Sequence, residues 1–180
     1  MGKVGAARKL ASAAALGGGG LSALGAGLYG VLTLEAKLAR RTIGEMRAEP
    51  PPDPTGWYGR GRPGPAIKIA LLGDSSAAGY GVDRVEDTPG TLLASGLAEV
   101  ANRRVHLRAY AVVGARSSDL AAQIDKALPI GPDVAVILVG VNDVTHTVLP
   151  SASVRHLSEG VRRLREAGVM VVVGTCPDLG

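Results

Sequence analysis

The sequence has little of several features that would narrow its class. Its single cysteine excludes an intrachain disulfide, and phenylalanine is absent. Aromatic residues make up only 3% of the chain, so a core must be built from aliphatic side chains, which suits a buried parallel sheet. The net charge of +4 is not arranged as a basic stripe with interleaved aromatics, and this disfavours nucleic-acid binding. No His/Cys/Asp cluster has the spacing of metal ligands, so neither a metal nor a cofactor is expected.

What the chain does contain is a β-branched apolar run, residues 67–72, that ends in Gly73-Asp74-Ser75. A short run of this kind bounded by glycine predicts a buried strand. Open α/β folds bind their ligands at the carboxyl ends of such strands. Ser75 therefore stands where a serine can act as a nucleophile, provided that a base and oxyanion-stabilising donors are near.

Two later strand-like runs end in similar loops. Residues 109–114 close on Gly114, and residues 133–140 lead into Gly140-Val141-Asn142-Asp143. If the strands are parallel, their terminal loops meet at one edge of the sheet. The chemistry this indicates is acyl transfer: Ser75 attacks a carbonyl, and the oxyanion is held by N–H groups and by the Asn142 amide. Removing one such donor typically costs ~2.7–4 kcal/mol of barrier stabilisation.

These blocks resemble the SGNH/GDSL hydrolase family, from residue 67 to residue 180. Ser75, Gly114 and Asn142 match the family's serine, glycine and asparagine in order and context. The resemblance implies a flavodoxin-like three-layer α/β/α fold, an esterase or lipase-like activity on small-molecule, lipid or glycan acyl esters, and an oxyanion hole formed by these residues. Asp74 and Asp143 are expected to support the turns in which they stand.

The sequence departs from the family after the fourth predicted strand, residues 169–174. No late Asp-x-x-His block follows that strand. We therefore interpret the chain as the amino-terminal part of such a hydrolase, with about four strands, without the last strand, the last helix and the usual base. On that interpretation the chain alone is inactive or nearly so. His146 is the candidate substitute base, whereas His106, His156 and Cys176 are expected to be structural or solvated.

Two other function classes stay open. A non-catalytic module of the same fold could bind acyl chains or glycans. A flavodoxin-like nucleotide or flavin binder is also conceivable, because a serine-rich loop after a strand can hold phosphate. The chain lacks, however, the Gly-x-x-x-x-Gly-Lys-Ser/Thr and Gly-x-Gly-x-x-Gly patterns.

The first 66 residues differ from the rest in composition. Residues 10–34 are uncharged and follow a basic start, which predicts a signal-anchor helix; a cleaved signal peptide and a flexible soluble tail are alternatives. Residues 1–48 then form the anchor and an amphipathic continuation, and residues 49–66, rich in Pro and Gly, form a linker without regular structure. The domain at 67–180 would be membrane-associated and extracytoplasmic, with the orientation open.

Helix signals separate the predicted strands. Thr88 and Pro89 predict a helix start, with Leu93, Leu97 and Val100 on its buried face. A second apolar stripe recurs at helical spacing between the third and fourth strands, at Val154, Leu157, Val161 and Leu164. Alternating strands and helices predict a parallel sheet with right-handed crossovers.

Overall fold

The structure is a computed structural model that describes residues 26–39 and 49–174. The chain divides into two compact units, Met1–Ala48 and Glu49–Gly180. In the first unit, residues 26–39 form helix α1. None of the helices within residues 26–39 and 49–174 combines the length and the apolar character that a membrane-spanning helix needs. Most of the predicted anchor, residues 10–25, lies outside the described residues.

The second unit is built on a five-stranded sheet with the order β1-β3-β2-β4-β5. Strands β2 to β5 are parallel, and β1 is antiparallel to its neighbour β3. The parallel strands alone follow the flavodoxin-like order, in which the first two strands exchange places. The strands are β1 Gly56–Tyr58, β2 Ile67–Gly73, β3 Val105–Ala109, β4 Val134–Leu138 and β5 Met170–Gly174.

Helices cover both faces of this sheet, so the predicted three-layer α/β/α fold is confirmed. On one face, α3 packs through Ala94 and Ala98 onto β2 and β3. On the other face, α4 and α6 pack onto β2 and β4 around Ile124 and Leu164. The helices of this unit are α2 Ser75–Ala78, α3 Pro89–Ala101, α4 Leu120–Ala127, α5 Val141–Thr145 and α6 Pro150–Glu166, with short 3-10 turns at Val85–Asp87, Ser117–Asp119 and Leu128–Ile130.

The start of α3 is as predicted, but its buried face is not. Thr88 caps the helix by accepting the Thr91 N–H, and Pro89 occupies the first turn. The prediction for Val100 and Leu93 was wrong, since they are 88% and 37% exposed. The buried face consists instead of the small residues Gly90, Ala94 and Ala98. Small side chains let the helix approach the sheet closely: a Cβ on Gly90 would lie 3.0 Å from the Leu107 Cδ2 of β3.

Helix α6 shows a similar difference. Leu164 is fully buried and Leu157 and Val161 are partly buried, as predicted, but Val154 near the helix start is 61% exposed. The other buried position of α6 is Gly160, where a Cβ would lie 3.1 Å from Ile124 Cδ1 of α4. Close helix–helix contact therefore depends on a glycine that the apolar pattern does not reveal.

The linker predicted for residues 49–66 contains β1. Trp57 stacks on His106 with 4.4 Å between ring centroids, and the Tyr58 hydroxyl donates to the Pro54 carbonyl. These contacts to β3 and within the segment order a stretch whose composition predicts only turns. Conversely, part of a predicted strand is loop: β3 ends at Ala109, so residues 110–113 of the run at 109–114 are not in a strand.

Candidate functional site

The turn between β2 and α2 begins at a glycine that no other residue could replace without a backbone shift. Gly73 has φ +136°, and a Cβ at this position would lie 1.8 Å from the Leu138 carbonyl oxygen. The Asp74 N–H donates to that same carbonyl at 2.9 Å. The backbones of β2 and β4 thus meet at the residue before Asp74.

Asp74 links this turn to the loop that follows β4. Its carboxylate is buried, and one oxygen accepts the Ser76 N–H at 2.8 Å as the cap of α2. The other oxygen accepts the Gly140 N–H at 3.3 Å. Gly140 stands two residues before Asn142, so the Asp74 carboxylate holds the Ser75 turn against the Asn142 loop. The supporting role predicted for Asp74 is compatible with these bonds.

Ser75 is the first residue of α2 and is partly buried. Its carbonyl accepts the N–H groups of Gly79 and Tyr80, which closes the short helix. Among the described residues, however, neither its N–H nor its hydroxyl has a hydrogen-bond partner. Its neighbour Ser76 is exposed, and the Ser76 N–H is taken up by Asp74. Within residues 26–39 and 49–174, Ser75 thus presents a free hydroxyl and a free backbone donor on a fixed turn.

The loop after β3 carries Gly114. Two N–H groups of this loop continue the ladder beside β2, from Tyr110 to the Leu71 carbonyl and from Val112 to the Gly73 carbonyl. Gly114 itself has φ +84° and is exposed, and a Cβ there would meet nothing within 4 Å. In the described part of the chain its N–H has no partner. This loop therefore starts against the Gly73 turn and, as far as the described residues show, offers a second backbone donor without a partner.

Asn142 belongs to α5, directly after the β4 loop. Its side-chain Nδ2 donates to the Ala115 carbonyl at 2.9 Å, which leaves one amide hydrogen for another acceptor. The adjacent Asp143 is buried, and both of its oxygens lie 3.2 Å from the Ser117 N–H. Two neighbouring side chains of α5, Asn142 and Asp143, thus bind the backbone of the residues that follow Gly114, at Ala115 and Ser117.

The structure therefore brings the three predicted loops to the same edge of the sheet. Ser75, Gly114 and Asn142 all follow the carboxyl ends of parallel strands. Their loops are joined by three side chains: the Asp74 and Asp143 carboxylates accept the N–H groups of Gly140 and Ser117, and the Asn142 amide donates to the Ala115 carbonyl. Such an arrangement offers a hydroxyl, two main-chain donors and an amide donor, which acyl transfer through a tetrahedral oxyanion requires in addition to a general base.

Sequence reasoning missed Gln123 of α4. This buried side chain contacts both polar groups of Gly73: its Oε1 accepts the Gly73 N–H at 2.7 Å, and its Nε2 donates to the Gly73 carbonyl at 2.9 Å. Gln123 also lines a cleft of about 330 Å³ together with Gly114, Asp119 and Lys126. No local pattern could have identified Gln123, since its partner lies 50 residues earlier in the chain.

Asp143 and His146 have the Asp-x-x-His spacing, although they do not form the late block that the family resemblance calls for. The Asp143 carboxylate is occupied by the Ser117 N–H, and His146 is exposed at the end of α5. The His146 Nδ1 lies 2.9 Å from the Asn142 carbonyl oxygen and 3.3 Å from Thr145 Oγ1. The spacing therefore does not produce a carboxylate–imidazole pair here.

The remaining candidates lie elsewhere. His106 is on β3 and His156 is exposed on α6, whereas Cys176 falls outside the described residues. Ser117 is buried, and its hydroxyl has no hydrogen-bond partner in the described part of the chain; at the start of this 3-10 turn the Asp119 carboxylate accepts the Arg116 N–H. Within residues 26–39 and 49–174 no group of His, Cys, Asp and Glu could hold a metal ion.

Comparison with known proteins agrees with this architecture. The sequence profile of the GDSL-like Lipase/Acylhydrolase family matches residues 71–180. A GDSL-like esterase of Mycobacterium tuberculosis is 41% identical over 183 residues, which cover 95% of this chain and 57% of that protein. This chain thus spans little more than half the length of that relative.

Solved structures share the fold at lower sequence identity. The SGNH-hydrolase family esterase AlinE4 has a TM-score of 0.55 and 24% identity, over 65% of this chain and 64% of its own. The esterase EstA from Pseudoalteromonas has a TM-score of 0.51 and 22% identity, over 59% of this chain and 57% of its own. Because the family profile covers more than half of the chain and the mycobacterial relative nearly all of it, the chain belongs to the GDSL-like lipase/acylhydrolase family.

Proposed function

We propose that this chain carries the nucleophile and the oxyanion hole of a serine esterase, with Ser75 as the nucleophile. The observation that supports this most directly is the unpaired hydroxyl and N–H of Ser75 on a turn that Asp74 links to the Asn142 loop. A turn serine with a purely structural role would use its hydroxyl in local backbone bonds, as Thr88 does with the Val85 carbonyl.

In the proposed reaction the Ser75 Oγ forms a bond to the carbonyl carbon of an acyl ester while its proton passes to a general base. The carbonyl oxygen becomes an oxyanion that accepts hydrogen bonds from the Ser75 N–H, the Gly114 N–H and the free Asn142 amide hydrogen. Collapse of this intermediate expels the alcohol, which takes up the proton. Water then attacks the acylated Ser75 by the same route and releases the acid.

The substrate class that we propose is an acyl ester of a small molecule, a lipid or a glycan. We also propose that residues 10–34 anchor the protein in a membrane as an uninterrupted uncharged segment after Lys3, Arg8 and Lys9, with the esterase domain extracytoplasmic. Alkaline carbonate extraction of membranes from the producing cells tests the anchor: the protein should stay in the pellet, and its release into the supernatant would contradict this part of the proposal.

Covalent labelling tests the nucleophile. A fluorophosphonate should label the native protein at Ser75, mapped by peptide mass spectrometry, and Ser75→Ala should abolish the label. Ser76→Ala is the matched control and should label normally, because Ser76 is exposed and its N–H is already held by Asp74. Asn142→Ala, which removes one oxyanion donor, should slow labelling roughly 10²-fold or more.

The base is tested in the same assay. Labelling should be repeated with added imidazole, which supplies a base from solution, and with His146→Ala. If His146 is the base, His146→Ala should slow labelling about 10²–10⁴-fold, and imidazole should restore part of the rate. If folded protein is not labelled even with imidazole, while a known serine hydrolase in the same tube is, the esterase proposal is wrong and a non-catalytic module of this fold is favoured.

A further inference from the structure

The face of the sheet opposite α3 is covered by α4 and α6 over β2 and β4, but at its outer edge it presents a group of basic and aromatic side chains. The register of β1, β3 and β2 aligns Trp57, His106 and Lys68 in one row. Arg108 lies two residues further along β3, on the same face as His106, because side chains of a strand alternate between faces. The Arg104 guanidinium lies 5.9 Å from the centre of the Trp57 ring. We call Trp57, Lys68, Arg104, His106 and Arg108 the basic sheet face.

The positive charge of the basic sheet face is not neutralised within the described residues. Lys68, Arg104 and Arg108 are exposed, and none of them is in an ion pair. The Asp133 carboxylate accepts the backbone N–H of Lys68, and the Lys68 ammonium donates to the Ile130 carbonyl. Arg108 and Lys68 also lower the pKa of His106, after the larger effect of its burial, so the charges act on a common region.

Trp57 gives this surface its second property. The indole is 53% exposed although it stacks on His106. An exposed tryptophan among cations is amphipathic in the way that favours the headgroup region of a bilayer, where the ring is partly buried and the cations meet lipid phosphates. The surface is the face of an edge strand rather than a cleft, so it fits an extended anionic surface better than a small enclosed ligand. In the sequence, Trp57 follows shortly after the predicted anchor at residues 10–34.

We infer that the basic sheet face docks the esterase domain onto a membrane that contains anionic phospholipid, with Trp57 entering the headgroup region. This contact is distinct from the proposed anchor and from the candidate site, which is at the carboxyl ends of the strands. Each cation at an anionic surface strengthens binding about fivefold, so the three together contribute on the order of a hundredfold. The contribution must fall as salt is raised, because the charges are exposed.

The test measures tryptophan fluorescence of the full chain. Because Trp57 is the single tryptophan of the sequence, its emission alone reports contact with lipid. Vesicles of phosphatidylcholine, with and without phosphatidylglycerol, should carry a fraction of bromine-labelled chains that quench nearby indole. Trp57 emission should be quenched and blue-shifted with phosphatidylglycerol and much less without it. High salt should remove the difference in quenching between the two vesicle types. This part of the test is made on the native protein alone.

Two variants with the same loss of charge complete the design. Lys68→Ala/Arg104→Ala/Arg108→Ala should remove most of the phosphatidylglycerol-dependent quenching, because these cations hold the domain against the anionic surface whether or not residues 10–34 are inserted. Lys126→Ala/Arg155→Ala/Arg165→Ala removes three exposed cations from α4 and α6 and should leave quenching nearly unchanged. Equal quenching by both vesicle types, or equal losses in both variants, would overturn the inference. A Trp57 shift with heparin but not with vesicles would identify a soluble polyanion as the partner and would also overturn it.

Discussion

Replacing Asp74 by Asn tests whether the turn before Ser75 and the loop before Asn142 form one unit. The substitution keeps the size of the side chain and changes only what its two outer atoms can do. In the native protein, Asp74 accepts two backbone N–H groups, from Ser76 and from Gly140, through different carboxylate oxygens. An asparagine has one acceptor oxygen and one NH₂ group, so it can satisfy only one of them and places a donor against the other.

The magnitude follows from this count. One backbone N–H loses a charged partner at a side chain that is only 1% exposed, which costs about 1–3 kcal/mol. The remaining bond loses its charge assistance as well. For a domain of this size, 1 kcal/mol corresponds to roughly 4 °C in Tm, so we expect a decrease of roughly 4–12 °C. If asparagine keeps the bond to Ser76, Gly140 is released, and Ser75 labelling should slow as well.

Differential scanning calorimetry of native protein and Asp74→Asn measures the first effect, and fluorophosphonate labelling the second. Asp87→Asn is the matched control, because Asp87 is an exposed carboxylate 4.0 Å from Arg84. A pair of this kind contributes little, so Tm should change by no more than about 2 °C. If Asp74→Asn is as stable as Asp87→Asn, the carboxylate does not hold the two loops together, and the reasoning about this edge of the sheet fails.

Two further predictions concern the sheet. Gly73→Ala should lower the free energy of unfolding by at least about 3 kcal/mol, because its Cβ would meet the Leu138 carbonyl and its φ is unfavourable for alanine. Gly96→Ala lies in open space on α3 and should raise the free energy of unfolding by up to about 1 kcal/mol. Chemical denaturation measures both, and a Gly73→Ala variant as stable as the native protein would contradict the close approach of β2 and β4. Burial above all, and then Arg108 and Lys68, lower the pKa of His106, so the folded state binds this proton less tightly than the unfolded chain. Stability should therefore be fully present above about pH 6.5 and decline as the pH falls below it; His106→Gln should flatten that decline in thermal melts, and an unchanged slope would refute the assignment.

The sheet could be predicted from the sequence because its signals are local. The apolar runs of β2, β4 and β5 and the Thr88 cap each depend on neighbouring residues. Strand β1 could not be predicted, because only three of its residues pair and a main contact that orders them is the stacking of Trp57 on His106, 49 positions later in the sequence. The buried face of α3 was missed for a related reason: an apolar scale ranks Val100 above Ala98, but the close approach of helix and sheet selects the smaller side chain.

In the candidate site, too, the features with local sequence signals could be predicted, and those that depend on distant contacts could not. That Ser75, Gly114 and Asn142 share an edge could be predicted, since parallel strands require it. The bonds that fix the loops could not, because each joins residues that are far apart in the sequence. Gln123 is the clearest example: an ordinary helix glutamine by pattern, it satisfies both backbone groups of Gly73. Side-chain to backbone contacts of this kind depend on the final packing of α4 against β2, which no local sequence pattern encodes.

These long-range bonds matter for the proposed chemistry because stabilisation of an oxyanion depends on donors that are fixed before charge develops. Loops held only by their own backbone would have to be ordered during the reaction, and that ordering would raise the barrier. Here Asp74, Asn142 and Asp143 join the three loops by accepting or donating at other backbone groups, so the N–H groups of Ser75 and Gly114 are not consumed. A rigid edge with unused donors is therefore what an acyl-transfer site would need, whereas a purely structural edge would gain stability by pairing those donors internally.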